Sequence, residues 1–146
     1  MNINAYWNTF ITQYPEYKSK EYTAWQFGVD ATELAKLVIQ GKKTATTSAY
    51  ALYAVDDEPL PKEGEMSIVL NDNNEPMCII KTTHVFITPY KDVTAQHAYL
   101  EGEGDRTLKY WKQAHERYFI EEFQKEGLKF NEDELMVCET FECLFH

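Results

Sequence analysis

The stretch that decides the fold is Ser67–Thr88, with the sequence SIVLNDNNEPMCIIKTTHVFIT. Ser67–Leu70 is an apolar run typical of a short buried strand, and Met77–Thr88 is a longer run rich in Ile, Thr and Val, which favour strands. Between them lies Asn71–Pro76, where Asn, Asp and Pro are typical of a turn. The pattern therefore predicts a β-hairpin that ends at Pro89 and forms part of an antiparallel sheet.

Outward from the hairpin, apolar residues recur at helical spacing. The clearest helix is Ala31–Gln40, which begins after a capping-box pair, Asp30 and Glu33, and ends before Gly41. The other predicted elements are a helix at Tyr6–Tyr14, an extended or helical segment at Thr44–Tyr53, a helix at Val93–Leu100, a helix capped by Asp105 that runs to about Lys125, and a strand at Met136–Phe145. Because helices and strands are segregated, the chain predicts an α+β fold with a small, mostly antiparallel sheet or barrel.

The chain has 146 residues, enough for one domain, and a formal net charge of −10. Proteins that grip duplex DNA need a basic face that displaces counterions from phosphate, so this charge argues against that class and against an anionic membrane surface. No apolar run approaches the ~20 residues of a membrane span, and the first residues lack the features of a secretory signal. Three cysteines without CxxC spacing suit a reducing compartment, so we expect a cytoplasmic protein with no zinc site.

A first candidate site is Gly41–Thr46, where a helix ends and an extended segment begins. A desolvated Lys such as Lys43 can act as a base toward a hydroxyl three residues on, at Thr46, and that hydroxyl can attack a carbonyl. The structural alternative is a helix C-cap followed by a strand, with the lysines opposite the helix dipole. Spacing alone favours this structural alternative. A phosphate-binding loop is excluded because its glycine spacing is missing.

A second candidate is Glu101–Asp105, in which two glycines separate three carboxylates. Crowded carboxylates raise the pKa of at least one of them, which suits a general acid or base. The alternative is a solvated acidic loop that caps the next helix. The 12-residue pattern of a calcium loop is missing, so no metal site is predicted.

Several other side chains are candidates for binding a substrate. Trp25 and Trp111 are aromatic platforms on which a base can stack, although most such residues belong to a core. Lys42 and Arg106 are cations suited to a single phosphate. His115 lies on the apolar stripe of its helix, where a hydrogen-bonded core histidine is the commoner role.

Taken together, these motifs resemble the ASCH domain family of the PUA-like superfamily, in the bacterial branch called DUF984. The resemblance runs from Trp25 to Phe145. It is carried by Trp25–Gly28, by the Gly-x-Lys-x-x-Thr element that ends at Thr46, by Pro59–Gly64, and by Glu101–Asp105 followed by Trp111 and His115. It implies a single domain over residues 1–146, with residues 1–24 as an N-terminal helical extension, and a PUA-like β-barrel with helices packed around it.

The resemblance also implies a function. A small relative hydrolyses the acetyl amide of acetylcytidine, and its catalytic Lys and Thr correspond to Lys43 and Thr46. Its catalytic Glu follows a His-Ala pair and corresponds to Glu101, with Glu103 as a competing assignment. We therefore expect a cleft for RNA or a modified nucleoside and an amidohydrolase that needs no cofactor. Backbone N–H groups near Lys42–Thr44 would stabilise the oxyanion, and Thr44 is grouped with the substrate-binding residues.

Three alternatives remain open from the sequence. The cleft can bind RNA or a nucleotide without chemistry, or it can cleave RNA, as other members of the superfamily do. An acidic scaffold that binds protein partners is a third, which the aromatic content motivates but a buried core explains equally well.

Overall fold

A computed structural model describes residues 2–146. These residues form five α-helices and two short 3-10 helices, at Pro15–Tyr17 and Tyr90–Asp92. The helices are α1 Ile3–Gln13, α2 Ala31–Ile39, α3 Tyr50–Val55, α4 Ala95–Glu101 and α5 Leu108–Lys125. The strands are β1 Tyr22–Trp25, β2 Ala45–Ala49, β3 Met66–Leu70, β4 Pro76–Pro89 and β5 Leu135–Phe145.

The five strands form one sheet in the order β1-β3-β4-β5-β2. All neighbours are antiparallel except β1 and β3, which are parallel. The predicted hairpin is confirmed as β3 and β4, and β4 continues along β5 with register shifts at 79/80 and 82/84. The α+β class is therefore confirmed. Within residues 2–146, no ladder joins the edge strands β1 and β2, so the expected closed barrel is not confirmed.

Two predicted helix caps are wrong. Asp30 adopts φ 49° and ψ 49°, and its side chain accepts no capping hydrogen bond, so the capping box with Glu33 does not form. The long helix α5 is capped by Thr107, whose hydroxyl accepts from the Tyr110 N–H. Asp105 instead accepts hydrogen bonds from Thr107 and so holds the capping residue in place.

Three apolar clusters hold helices against the sheet. Helix α1 buries Trp7 and Phe10 against β3 and β4. Helix α2 buries Ala35 and Val38 against Val69 and neighbouring residues of the sheet. Helix α5 buries its aromatic stripe, Trp111, Phe119 and Phe123, against β5. Burial of apolar surface therefore holds these helices against the sheet. It contributes about 25 cal/mol of stabilising free energy per Å² buried. Among the residues described, no helix is long and apolar enough to cross a membrane.

Candidate functional site

The turn that follows α2 places the side chain of Lys43 in the interior of the protein. Gly41 turns the chain with φ 78°, a left-handed conformation that glycine adopts without strain. The N–H groups of Lys42 and Lys43 then both donate to the carbonyl of Leu37, at 3.0 and 3.1 Å. As a result Lys42 faces solvent while Lys43 is only 1% exposed.

Buried at this position, Lys43 lies between two glutamates. Its Nζ donates to Oε2 of Glu103 at 2.8 Å and lies 3.5 Å from Oε1 of Glu101. It also donates to the carbonyl of Ala45 at 3.0 Å and lies 5.1 Å from the centre of the Phe27 ring. A buried ammonium is tolerated only with such partners, because leaving it unpaired costs several kcal/mol.

Glu101 is equally buried, at 1% exposure, and is surrounded by donors. Its Oε2 accepts from the Thr47 hydroxyl at 2.7 Å and from the Trp111 indole N–H, and lies 3.1 Å from His97 Nε2. Burial by itself raises the pKa of this carboxyl. Hydrogen bonds with His115 and His97 and the Lys43 charge outweigh that effect and hold the pKa well below its usual value. Glu101 is therefore a fixed anion.

His115 closes the other side of this cluster. Its Nε2 lies 3.4 Å from Oε1 of Glu101, and its Nδ1 lies 2.9 Å from the carbonyl of Trp111. Burial lowers the pKa of His115, but the hydrogen bond with Glu101 and the charges of Glu101 and Glu103 raise it above the usual value. The imidazole therefore favours its cationic form beside the two carboxylates.

A close backbone contact joins the two segments that build the site. Gly102 ends α4 with φ 74°, and a Cβ there would overlap the carbonyl of Lys42. Nearby, the Thr44 N–H donates to the Leu100 carbonyl at 2.7 Å. Only glycine permits both the left-handed turn and this approach, so the segment that carries Glu101 and Glu103 lies against the one that carries Lys43.

These groups face a cleft of about 180 Å³. Its aromatic walls are Phe27, Tyr110 and Tyr118, and its other lining residues are Gly28, Val29, Asp30, Leu34, Lys43, Thr46, Thr47, Glu101, Glu103, Ala114 and His115. Tyr118 lies so close to Gly28 that a Cβ there would be 2.5 Å from its hydroxyl oxygen. The cleft thus combines flat apolar walls with a charged floor, which is the usual make-up of a site for a small polar ligand.

Five of the residues singled out in the sequence line this cleft together: Lys43, Thr46, Glu101, Glu103 and His115. Within residues 2–146, the Thr46 hydroxyl forms no side-chain hydrogen bond, and the Lys43 ammonium does not contact it. Thr46 and Lys43 therefore share the cleft without touching.

The other predicted binding residues lie outside the cleft lining. Trp25 packs against the α2 cluster, with its ring 5.0 Å from that of Phe27. Thr44 is tied to Leu100, and Lys42 faces solvent. Arg106 stacks on Tyr99 at 3.7 Å and donates to the Lys42 carbonyl. Trp111 lies behind Glu101 and orients it through its indole N–H.

The predicted oxyanion donors are also engaged. The N–H groups of Lys42 and Lys43 bond to Leu37 and that of Thr44 bonds to Leu100, so the backbone of 42–44 has no donor left for a substrate. That expectation is wrong because the helix end and the contact with α4 use these groups. The Lys43 ammonium supplies a positive charge beside the cleft.

Two residues of this cluster were not among the site residues predicted from the sequence. Thr47 lines the cleft and lies 2.8 Å from His97 Nε2, and both contact Glu101. The pair His97 and Glu101 stands at i, i+4 on α4, a spacing that places two side chains on one helix face and was available from the sequence. Nothing local marks Thr47, since its partners are distant in the chain.

The same cluster has the chemistry of a cation site. Glu101, Glu103 and His115 each offer one ligand atom, and these atoms lie within 4.8 Å of one another. The Lys43 ammonium already contacts both carboxylates. A metal ion at this position would compete with that ammonium, so the donor set fits a resident lysine better than a metal.

Comparison with known proteins identifies the family. The ASCH domain model matches residues 23–144. The chain belongs to the ASCH domain family. A crystal structure of an ASCH domain from Lactobacillus crispatus JV V101 is 31% identical, with a TM-score of 0.91, and the match covers 98% of this chain and 94% of that one.

Two further structures resemble this ASCH domain. Protein EF3133 from Enterococcus faecalis V583, of the DUF984 family, is 34% identical, with a TM-score of 0.86 over 98% of this chain and 88% of that one. Hypothetical protein PH0355 is 14% identical, with a TM-score of 0.53 over 84% and 97% of the two chains, and shows the fold alone. A search of curated proteins found no match.

Proposed function

We propose that this ASCH domain is an amidohydrolase that removes an acyl group from the exocyclic nitrogen of a nucleoside, with acetylated cytidine as the expected substrate. The observation that carries the proposal is the Lys43 ammonium, 1% exposed and in contact with the carboxylates of both Glu101 and Glu103 beside a cleft. Lysine and glutamate are almost never fully buried unless they are paired, and perturbed titratable groups in a cleft mark candidate functional sites.

The lining of the cleft favours a nucleoside over a longer nucleic acid. Phe27, Tyr110 and Tyr118 supply rings on which a base can stack. The acidic residues Asp30, Glu101 and Glu103 outnumber the one lysine. Because the whole chain also carries a net charge of −10, each phosphate of a bound RNA would be repelled.

The residues support a two-step hydrolysis. The Thr46 hydroxyl loses its proton to a base and bonds to the acyl carbon, and the Lys43 ammonium stabilises the negative charge on the acyl oxygen. The C–N bond then breaks, and Glu103 passes a proton to the leaving nitrogen. Water next attacks the acyl-threonine: its OH bonds to the acyl carbon and its other proton passes to Glu103. The base returns its proton to Thr46 Oγ1 as the acyl bond breaks, which releases the carboxylic acid and restores the hydroxyl.

The contacts support different roles for the two glutamates. Glu101 holds Lys43 and is fixed by Thr47, Trp111 and two histidines, so it stays an anion. The Glu103 side chain is 22% exposed and bonds to Lys43 alone among the residues described. Of the two, Glu103 is thus free to exchange protons with a substrate. The sequence-based role of Lys43 as the base stays a prediction.

The test is incubation with acetylcytidine, followed by chromatography for cytidine. We expect turnover by the wild type and a loss of about 100-fold or more in Lys43→Met and Thr46→Val. Matched controls are Lys36→Met and Thr23→Val, which remove an exposed lysine and an exposed threonine that do not line the cleft. Turnover that survives Lys43→Met would overturn the mechanism, and the absence of turnover in the wild type would overturn the function.

A further inference from the structure

A second polar cluster lies on the face of the sheet opposite Glu101. Side chains alternate along a strand, so Thr47 shares one face of β2 with the buried residues Ala45 and Ala49, while Thr46 lies on the other. Glu139 of β5 is the direct ladder partner of Thr46. Directly opposed residues share a face and have Cβ atoms about 5 Å apart. Thr46 and Glu139 are therefore neighbours.

Glu139 is a carboxyl that the proposed mechanism has not used. Its Oε1 lies 3.5 Å from the hydroxyl of Thr82, which is only 4% exposed. Beside it, the hydroxyls of Ser48 and Tyr53 lie 2.6 Å apart, and the Glu139 charge acts on Tyr53. The Thr82 hydroxyl thus contacts this carboxyl, and the Tyr53 hydroxyl lies within range of its charge.

The proton affinity of Glu139 suits neutral pH. Burial raises the pKa of this carboxyl to about 7, the Glu65 charge adds to the shift, and the Thr82 hydroxyl opposes it. The groups that face Glu139 are Glu65 before β3, Thr82 on β4, Tyr53 on α3 and Thr46 on β2. A general base works best when its pKa lies near the working pH.

Thr46 itself needs a base. The Lys43 ammonium contacts oxygen atoms of Ala45, Glu101 and Glu103, and each of these contacts uses its protons as donors. None of these contacts reaches the Thr46 hydroxyl, and an ammonium has no lone pair for its proton. The cross-strand neighbour of Thr46 is a carboxyl.

We propose that Glu139 is a further catalytic residue, the general base that removes the proton from the Thr46 hydroxyl. This inference rests on the proposed amide hydrolysis. The Thr46 O–H bond breaks, its proton moves to a Glu139 carboxylate oxygen, and the electron pair left on Oγ1 forms the bond to the acyl carbon. The π pair of the carbonyl moves to the acyl oxygen beside Lys43, and Glu139 returns its proton when water attacks the acyl-threonine.

The first test is the pH dependence of acetylcytidine hydrolysis in the wild type, Glu139→Gln and Glu142→Gln. Glu142 is an exposed glutamate on the same strand and serves as the control. In the wild type and in the control, the rate should rise through a midpoint near pH 7. Glu139→Gln should lose about 100-fold in kcat and lose this rise. Glu139→Asp, which keeps a carboxylate, should restore the rise. An unchanged profile in Glu139→Gln would overturn the assignment.

The second test does not depend on the substrate. Each protein is treated with p-nitrophenyl acetate at pH 8, and mass spectrometry of its peptides shows whether Thr46 carries an acetyl group. We expect labelling in the wild type and in Glu142→Gln and at least about tenfold less in Glu139→Gln. Labelling that depends on Glu139 without hydrolysis of acetylcytidine would refute the proposed function alone. Equal labelling in Glu139→Gln, or none in any protein, would refute the role of Glu139.

Discussion

At the scale of single residues, three carboxyls lie in three different environments. Glu101 is enclosed by donors and stays ionised, Glu103 contacts one ammonium and reaches solvent, and Glu139 contacts the Thr82 hydroxyl and has a pKa raised to about 7. The residue type is the same in each case, so the environment decides the role. The sequence left Glu101 and Glu103 as competitors because proximity in the chain says nothing about burial.

Removing the charge of Glu101 should destabilise the fold. Glu101→Gln leaves the Lys43 ammonium without one of its buried partners, and we expect a loss of about 3 kcal/mol in the free energy of unfolding by urea at pH 7. The pKa of Glu101 is lowered in the fold, so its stabilisation is present above the unfolded pKa and is lost as the pH falls toward the folded one. The difference from wild type should therefore shrink in acid. A difference that is constant with pH would contradict this role.

For Glu139 we expect the opposite dependence of stability on pH. Its pKa is raised to about 7 in the fold, so the folded state holds a proton that the unfolded chain releases, and stability falls as the pH rises from about 4.5 to 7. Glu139→Gln keeps the shape of the uncharged carboxyl group. Relative to the wild type, its free energy of unfolding should rise by up to about 3 kcal/mol between pH 5 and pH 8. Urea unfolding at both values measures the gain, with Glu142→Gln as the reference. No gain at pH 8 would show that Glu139 is not desolvated.

At the scale of elements, the site is a junction between the end of α2 and the end of α4. The sequence predicted α2 and its stop at Gly41, because apolar spacing and a glycine are local signals. It missed the contact between Gly102 and Lys42, which depends on how α4 lies on β2. The misassigned caps at Asp30 and Asp105 have the same origin, since the entry of the chain into a helix is decided by what the preceding loop contacts.

From the close contact at this junction we predict that replacing Gly102 destabilises the fold. Gly102→Ala adds strain at φ 74° and an overlap with the Lys42 carbonyl, while Gly127→Ala meets only the strain, because φ is 69° and nothing lies within 4 Å. We expect about 1–2 kcal/mol of destabilisation for Gly127→Ala and clearly more for Gly102→Ala, with loss of any hydrolysis. Thermal unfolding of the two variants measures the difference. Equal losses would mean that the contact contributes nothing.

At the scale of the whole molecule, charge sets which ligands can approach. The net charge of −10 and the acidic lining of the cleft act in the same direction, against polyanions. This property follows from composition and needs no structure. It favours the nucleoside proposal over the RNA-binding and RNA-cleaving alternatives.

We expect acetylcytidine to bind more tightly than a single-stranded RNA of about ten nucleotides to the Thr46→Val variant, which keeps Lys43 and should bind substrate without turning it over. Fluorescence anisotropy with labelled RNA and calorimetry with the nucleoside, each at ~50 and ~200 mM salt, give the comparison. Tight RNA binding that falls steeply with salt would show a phosphate-driven mode, and metal-independent RNA cleavage would favour the ribonuclease.

The sequence by itself determined the hairpin at 67–88, the helix after Asp30, the sign of the charge and the segments that carry the chemistry, because each depends on neighbours in the chain. Only the tertiary structure decided which side chains meet. Lys43 and Glu101 are 58 positions apart, and Thr46 and Thr47 are adjacent yet lie on opposite faces of β2. Contacts of this kind form when helices pack on a sheet, and the free energy of that packing is a property of the whole core, which no local pattern contains.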